Sequence, residues 1–410
     1  MKKFIFSMLA VSTLALASCE QVEESVNLAQ LPKDSQLTVK FAEPQAKTRT
    51  QGDIPTSPSG TKDLNYENTI NRLTVAVFFS SGEANVIKEF SKTDLASGKV
   101  TVNCSADENN AQTVIVVANH ESGFFAGVVK KSDFIAQTKT LSLAYTCTPS
   151  PAGSSTVAGN YQALNNLPMS DVSTAYIKAS NDATSPATLN VSLQRLVARI
   201  SINKVYTDFD PQGAYANASF KLTDVFLYNA VDKSPVGVDA SDKPVDIPVS
   251  GTYSLAYGLD APTGASTTSY LTHTVNAQNG GEMVGGSSSA FATPYYFYTF
   301  ANSKAVSGQY TKLVLKGELT VDKTASTPTY TTEYYPIAIN KAQLNTTITG
   351  GTSGKVGDGN IYRNSQYAVQ VIIKGQGANT PSVDLQPGVL NVNIEVKDWE
   401  PILSQTVTFE

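Results

Sequence analysis

Residues 189–202 read LNVSLQRLVARISI and carry the clearest fold signal in the chain. In the first half of this stretch, Leu189, Val191 and Leu193 alternate with polar residues, as in a strand with one buried face. A second, largely apolar run follows at once, from Leu196 to Ile202. One set of strands therefore ends near residue 195 and another begins, which predicts a boundary between two β domains.

Short runs of the same kind recur on both sides of this boundary. They predict strands at Leu37–Phe41, Leu73–Phe79, Thr113–Ala118, Phe220–Tyr228, Tyr295–Phe300, Lys312–Leu319, Tyr367–Lys374, Leu390–Val396 and Gln405–Phe409. Turns rich in Gly and Pro separate the runs, and many short strands at this spacing are typical of β-sandwiches. A chain of 410 residues is long enough for two such domains, each with its own core.

The composition argues against several classes of function. The formal net charge of -5 leaves no basic stripe for phosphates, so we expect no nucleic-acid partner. The two histidines, His120 and His273, lie far apart in the sequence, which disfavours zinc sites and catalytic triads. Segments 354–359 and 208–213 faintly resemble a phosphate loop and a calcium loop, but both lack required residues and favour turns. We therefore expect a protein that is not an enzyme and needs no cofactor or metal.

The N-terminus has the features of a bacterial lipoprotein signal. Residues 1–18 combine a basic start, an apolar run too short to span a bilayer and small residues before Cys19. This arrangement resembles a lipobox, in which the cysteine thiol takes a lipid and becomes the first residue. The glutamates at 20, 23 and 24 resemble the acidic stretch that sends lipoproteins to the cell surface. An ordinary signal peptide followed by an incidental cysteine is the alternative.

Two further cysteines, Cys104 and Cys147, fall in the first predicted domain. An oxidising exterior permits a disulfide between them. Two buried free thiols are the alternative, and the sequence leaves both open.

A polar linker runs from residue 43 to residue 63 and contains an exposed basic site. A trypsin-like protease could reach Lys47 or the bond between Arg49 and Thr50. Upstream lies an alternating strand whose inward residues are Leu37, Val39 and Phe41. Cleavage after Arg49 would release this strand and the lipid anchor, leaving an unpaired sheet edge above an apolar floor. The alternative is a flexible surface loop with incidental basic residues.

The last residues of the chain alternate in the same way. In residues 405–410, which read QTVTFE, Val407 and Phe409 share one face of a predicted strand. A terminal strand of this kind suits addition to an open sheet edge of another copy. Head-to-tail donation does not close on itself and so builds a filament. The alternative is that this strand completes its own sandwich.

Three C-terminal stretches resemble the FimA-type fimbrillins, which are the shaft pilins of type V pili. They are Ile361–Tyr367 (IYRNSQY), the alternating run from Val369 to Gly377, and the strand from Leu390 to Trp399. Further agreement comes from Cys19, Arg49, Val114–Asn119 and Arg195–Arg199. The resemblance extends over most of the chain and is loosest in the middle loops.

The resemblance implies a fold and a mode of assembly. The fold is two tandem transthyretin-like (Greek-key) β-sandwich domains. The chain then divides into a signal peptide (1–18), a propeptide (19–49), an N-terminal domain (50–195) and a C-terminal domain with a donor strand (196–410). An Arg- or Lys-specific protease would cut after Arg49, and strand exchange between copies would build a fimbrial shaft that supports cell adhesion.

The implied location is the cell surface, reached as an outer-membrane lipoprotein precursor. Expected partners are other copies of the chain, accessory fimbrial subunits and the processing protease. Two other functions stay open: an accessory subunit at the tip or base of a fimbria, and a lipid-anchored glycan-binding protein. A tip subunit need not donate a strand, so the alternating terminal strand counts against that role. A base subunit should keep its lipid anchor, so the cleavage site at Arg49 counts against that one. A glycan site would need exposed aromatic residues, for which the chain has 19 tyrosines but only Trp399 as tryptophan.

Overall fold

The computed structural model describes most of the chain. The described residues are 31–41, 67–140, 166–236, 255–275, 281–284, 288–303, 308–352, 354–385, 388–398 and 402–403. Regular structure within them is nearly all β, which confirms the predicted all-β class. The α-helix found there, α1, is short and spans Lys131–Ala136. No helix in this part of the chain is long and apolar enough to cross a membrane.

The first half of the chain forms two sheets. Its strands are β1 (Ser35–Lys40), β2 (Arg72–Phe78), β3 (Ala84–Ser91), β4 (Lys99–Cys104), β5 (Gln112–Ala118), β6 (Thr138–Thr140), β7 (Met169–Ala175), β8 (Ala187–Asn190) and β9 (Ser192–Arg195). One sheet has the order β4, β1, β8, and the other contains β9, β7, β5, β2 and β3 in that order. The apolar residues of both sheets contribute to one core. We call this pair of sheets the first sandwich.

The second half forms another pair of sheets, which we call the second sandwich. Its strands are β10 (Val197–Thr207), β11 (Ser219–Tyr228), β12 (Ala230–Val231), β13 (Lys233–Pro235), β14 (Leu255–Ala256), β15 (Thr272–Thr274), β16 (Met283–Val284), β17 (Ser288–Phe300), β18 (Lys312–Thr320), β19 (Tyr330–Ala338), β20 (Thr346–Gly350), β21 (Ser365–Ile373) and β22 (Leu390–Asp398). Of the two large sheets, one runs β17, β10, β21, β22, β20, and the other runs β15, β11, β18, β19 with β16 beside β11. β12 and β14 form a separate two-stranded sheet.

The two halves of the chain also touch away from their covalent connection. β6 pairs with β13, so that Lys139 lies opposite Ser234. The last described element, β23 (Ile402–Leu403), pairs with β9 and extends the larger sheet of the first sandwich. A single cluster of buried apolar residues runs through both sandwiches. Backbone hydrogen bonds between paired strands, together with apolar packing, therefore join the two halves.

The predicted strands that fall in the described residues are present, several of them longer than predicted. The run at 189–193 is an exception, because it forms two strands rather than one. The chain leaves β8 at Asn190, passes through the buried Val191 and enters β9 in the other sheet. β3, β4, β7 and β19 have no counterpart among the strands predicted from the sequence. The predicted strand Gln405–Phe409 lies outside the described residues.

Candidate functional site

The strand upstream of the polar linker lies in the centre of a sheet. β1 pairs antiparallel with β4 on one side and parallel with β8 on the other. Leu37 lies between Val102 and Ala187 in this register, and Val39 lies between Val100 and Leu189. β1 therefore uses both of its backbone edges to hold the sheet together.

The inward face of β1 is buried. Leu37 and Val39 are 0% exposed and Phe41 is 2% exposed, as the alternation in the sequence predicted for a strand. Backbone bonds continue at its end, where the Phe41 N–H donates to Gly98 O and the Val191 N–H donates to Lys40 O. Without β1, the space between β4 and β8 would be a slot with two unpaired edges and an apolar floor. We call this space the β1 groove.

The outward face of β1 is polar and contains one unfavourable pair. The Thr38 and Thr101 hydroxyls are hydrogen-bonded at 2.9 Å across the pair of strands. Lys40 lies directly opposite Lys99. Like charges opposite each other in neighbouring strands destabilise the pairing.

Cys104 lies at the end of β4, beside the start of β1. It is opposite Ser35 in the ladder, and its thiol is free and fully buried. Burial raises the pKa of this thiol to about 11, so the reactive thiolate is scarce at neutral pH. Of the two alternatives from the sequence, the free thiol is therefore the one found for Cys104, while Cys147 lies outside the described residues.

Several residues predicted to act in export and assembly also lie outside the described residues. They are Cys19, Arg49, Thr50, Val407 and Phe409. The structure brings together Leu37, Val39 and Phe41 and places them in the β1 groove. The walls of this groove, β4 and β8, were not assigned to it from the sequence. The alternation of Val100, Val102 and Cys104 is the signal that could have predicted β4.

The residues considered for chemistry have structural contacts. His120 is hydrogen-bonded to Thr74 Oγ1 at 2.9 Å, and burial lowers its pKa. Burial lowers the pKa of His273 to about 4. Segments 354–359 and 208–213 are turns: Asn340 Nδ2 donates to the carbonyl of Lys355, and Asp210 Oδ1 accepts from the Gln212 N–H. Among the described residues, no group of three or more His, Cys, Asp or Glu side chains could hold a metal ion.

Two protein-family models match this chain. Residues 35–195 match the model described as major fimbrial subunit protein (FimA), and residues 301–399 match the FimA4 pilin C-terminal domain. Relatives align over nearly the whole length. The major fimbrium subunit FimA type-5 of Porphyromonas gingivalis is 24% identical over 98% of this chain and 98% of its own. The type-4 subunit of the same organism is 25% identical over 100% of both chains.

Solved structures share the fold. A fimbrilin (FimA) of Porphyromonas gingivalis W83 superimposes with a TM-score of 0.57 at 20% identity, covering 90% of this chain and 99% of that one. A putative cell adhesion protein of Parabacteroides distasonis gives a TM-score of 0.58 at 18% identity, covering 91% and 100%. The matched family is one of structural fimbrial subunits and not of enzymes. The two family models together span more than half of the chain, and with the full-length alignments they show that it belongs to the fimbrillin family.

Proposed function

We propose that this fimbrillin is a shaft pilin that polymerises by strand exchange. The precursor reaches the cell surface as a lipoprotein acylated at Cys19, and an Arg-specific protease cuts it after Arg49. The cut releases β1, and the C-terminal strand of a second copy fills the β1 groove. The proposal includes two transthyretin-like domains, residues 50–195 and 196–410, with the groove in the first and the donor strand at the end of the second.

The observation that carries the proposal is the central position of β1. A strand at the edge of a sheet could be lost with one row of hydrogen bonds, whereas loss of β1 opens both β4 and β8. Burying three large apolar side chains contributes on the order of 5–9 kcal/mol, which an empty groove would lack. Ordering an incoming strand offsets part of that gain. An emptied groove therefore favours any strand with the right pattern.

The end of the chain repeats the pattern of β1. Residues 38–41 read TVKF and residues 406–409 read TVTF. In a matched register, Val407 takes the place of Val39 and Phe409 takes the place of Phe41. The hydroxyl of Thr406 then reaches the position from which Thr38 is hydrogen-bonded to Thr101.

Two positions distinguish the donor strand from β1. Thr408 replaces Lys40 and so removes the like-charge pair with Lys99 on the outward face. Gln405 replaces Leu37, which is fully buried, and this exchange costs apolar contact. Because these effects oppose each other, the donor strand is not a much stronger ligand than β1. Release of β1 by cleavage is therefore needed before exchange is favourable.

The thiol of Cys104 provides a test, because it is buried beside β1, with its Sγ 3.8 Å from the carbonyl oxygen of Ser35. In a chain with Cys19→Ala and Cys147→Ala, cleavage after Arg49 should raise the rate of thiol labelling at pH 8. The reason is that exposure returns the thiol pKa from about 11 towards about 8.5, which increases the thiolate on the order of a hundredfold. Labelling is followed with a chromogenic disulfide, and deletion of residues 407–410 keeps the groove from refilling.

The control for this labelling is the same chain with Lys47→Ala and Arg49→Ala, which should stay slow to label under identical protease treatment. Complete cleavage with no gain in labelling would show that β1 does not leave the groove. That outcome would contradict the proposed function.

Lipidation gives a second prediction. Cys19→Ala should abolish incorporation of labelled palmitate and delivery to the cell surface, because this thiol is the proposed acyl acceptor. Cys147→Ala is the matched control and should incorporate palmitate normally. Labelled palmitate in the Cys19→Ala chain would rule out the lipoprotein route.

A further inference from the structure

A buried carboxylate crosses from the first sandwich to the second. Glu67 precedes β2 in the first sandwich and is 1% exposed. Its Oε1 accepts a hydrogen bond from Arg199 Nη1 at 2.6 Å and another from the Tyr298 hydroxyl at 2.5 Å. Arg199 lies on β10 and Tyr298 on β17, both strands of the second sandwich. One side chain of the first sandwich is thus bound by two strands of the second.

The second sandwich receives Glu67 on a row of matched side chains. Arg199 is directly opposite Tyr298 on one neighbouring strand and Gln366 on the other. Arg199 Nη2 also donates to Gln366 Oε1 at 2.5 Å. Paired residues on adjacent strands project from the same face of a sheet. The sheet therefore presents three side chains together, with Arg199 in the middle. The carboxylate of Glu67 binds Arg199 and the neighbouring Tyr298.

A second arginine holds the same glutamate through its backbone. Arg195 lies at the end of β9 and donates from Nε to Glu67 O at 3.3 Å. Its backbone N–H and its Nη1 both donate to Asn364 Oδ1, at 3.1 and 3.3 Å. Burial lowers the pKa of Arg195 to about 10, so the guanidinium remains charged at neutral pH. The junction cluster consists of Glu67, Arg195, Arg199, Tyr298, Asn364 and Gln366.

The physical character of this cluster differs from that of the apolar contacts around it. Apolar packing is non-directional, so it permits small rotations between two packed bodies. A buried ion pair adds little net stability over apolar packing, but it becomes very unfavourable when one partner is withdrawn. Rotation of one sandwich against the other would withdraw Glu67 from Arg199. The junction cluster therefore favours one relative orientation.

We infer that Glu67 is a positioning residue that fixes the orientation of the second sandwich relative to the first. The contacts that support this are the two side-chain bonds to β10 and β17 and the backbone bond from Arg195. The inference concerns a single chain and does not depend on polymerisation.

The test measures the distance between the sandwiches by pulsed electron spin resonance. Spin labels are placed by Thr188→Cys on β8 and Asn393→Cys on β22, two exposed strand positions, in a chain whose native cysteines are alanine. The chain with Glu67 intact should give one narrow distance peak. The Glu67→Leu chain should lose that peak and give a broad distribution, while circular dichroism reports an unchanged β content.

Two further variants make the result decisive. Glu318→Leu removes a partly exposed partner of Lys221 within the second sandwich, so it should leave the narrow peak unchanged. Glu67→Leu with Arg199→Met leaves neither partner of the ion pair buried alone and should melt higher than Glu67→Leu, yet still give the broad distribution. If Glu67→Leu alone fails to fold, the distance distribution of the double variant still tests the inference. A narrow peak at the original distance in the Glu67→Leu chain or the double variant would overturn the inference.

Discussion

The chain with Lys47→Ala and Arg49→Ala should stay monomeric when an Arg-specific protease converts the unchanged chain into filaments. In the precursor, β1 belongs to the same chain as the groove, and Leu37 and Val39 are fully buried in it. A tethered strand acts at an effective concentration of about 1 mM, so at ~1 µM protein it outcompetes an external strand by about a thousandfold. Cleavage removes this advantage. Size-exclusion chromatography and electron microscopy after protease treatment measure the difference.

The single variants distinguish cleavage after Lys47 from cleavage after Arg49. Arg49→Ala alone should block assembly with an Arg-specific protease but not with trypsin, since trypsin can cut after Lys47. Lys47→Ala alone should assemble normally. Filaments from the double variant, with its N-terminus shown to be intact by mass spectrometry, would contradict the protease-gated scheme.

Deletion of residues 407–410 should stop polymerisation without affecting folding or cleavage. The deletion removes Val407 and Phe409, whose burial in the groove of another copy would contribute about 3–6 kcal/mol. That range corresponds to a factor of about 10² to 10⁴ in the affinity of each subunit contact. Cleaved truncated chains should therefore elute as monomers, and the uncleaved truncated chain should keep the melting temperature of the uncleaved full-length chain.

A mixture of two blocked chains provides the control for this deletion. The cleaved truncated chain has a groove but no donor, and the chain with Lys47→Ala and Arg49→Ala has a donor but a filled groove. Together they should form a one-to-one dimer and nothing larger, because neither end can continue. Filaments from the truncated chain alone would rule out the C-terminal strand as donor.

The sequence predicts strands well where one side of the strand meets an apolar core. The runs at 113–118 and 390–396 fall inside β5 and β22 because their apolar residues alternate or run continuously. β7 was missed because Ser170 and Asp171 interrupt any apolar pattern, although Ser170 is buried. Such strands are stabilised by their neighbours in the sheet, which local sequence does not reveal.

The β1 groove and the junction cluster show more clearly that local sequence does not reveal contacts with distant segments. The strand with Leu37 could be predicted from its alternation, but its parallel partner β8 is distant in the chain and could not. Arg199 in the middle of an apolar strand was a signal for a buried carboxylate, since arginine is almost never fully buried unpaired. Nothing in the polar stretch around Glu67 identified that glutamate as the partner. Contacts between distant segments require the folded structure.

The most direct measurement of the strand-exchange account is a disulfide between the donor strand and the groove. In a chain whose native cysteines are alanine, Val407→Cys is combined with Val100→Cys, the residue opposite Val39. After cleavage and mild oxidation, the matched register predicts a ladder of disulfide-linked multimers on a non-reducing gel, because directly opposed residues lie within reach of a disulfide. In the chain with Thr408→Cys and Val100→Cys, the cysteine at position 408 faces the opposite side of the sheet from the one at position 100, so no ladder of multimers should form. Filaments in which Val407→Cys forms no link, or links no better than Thr408→Cys, would contradict the account.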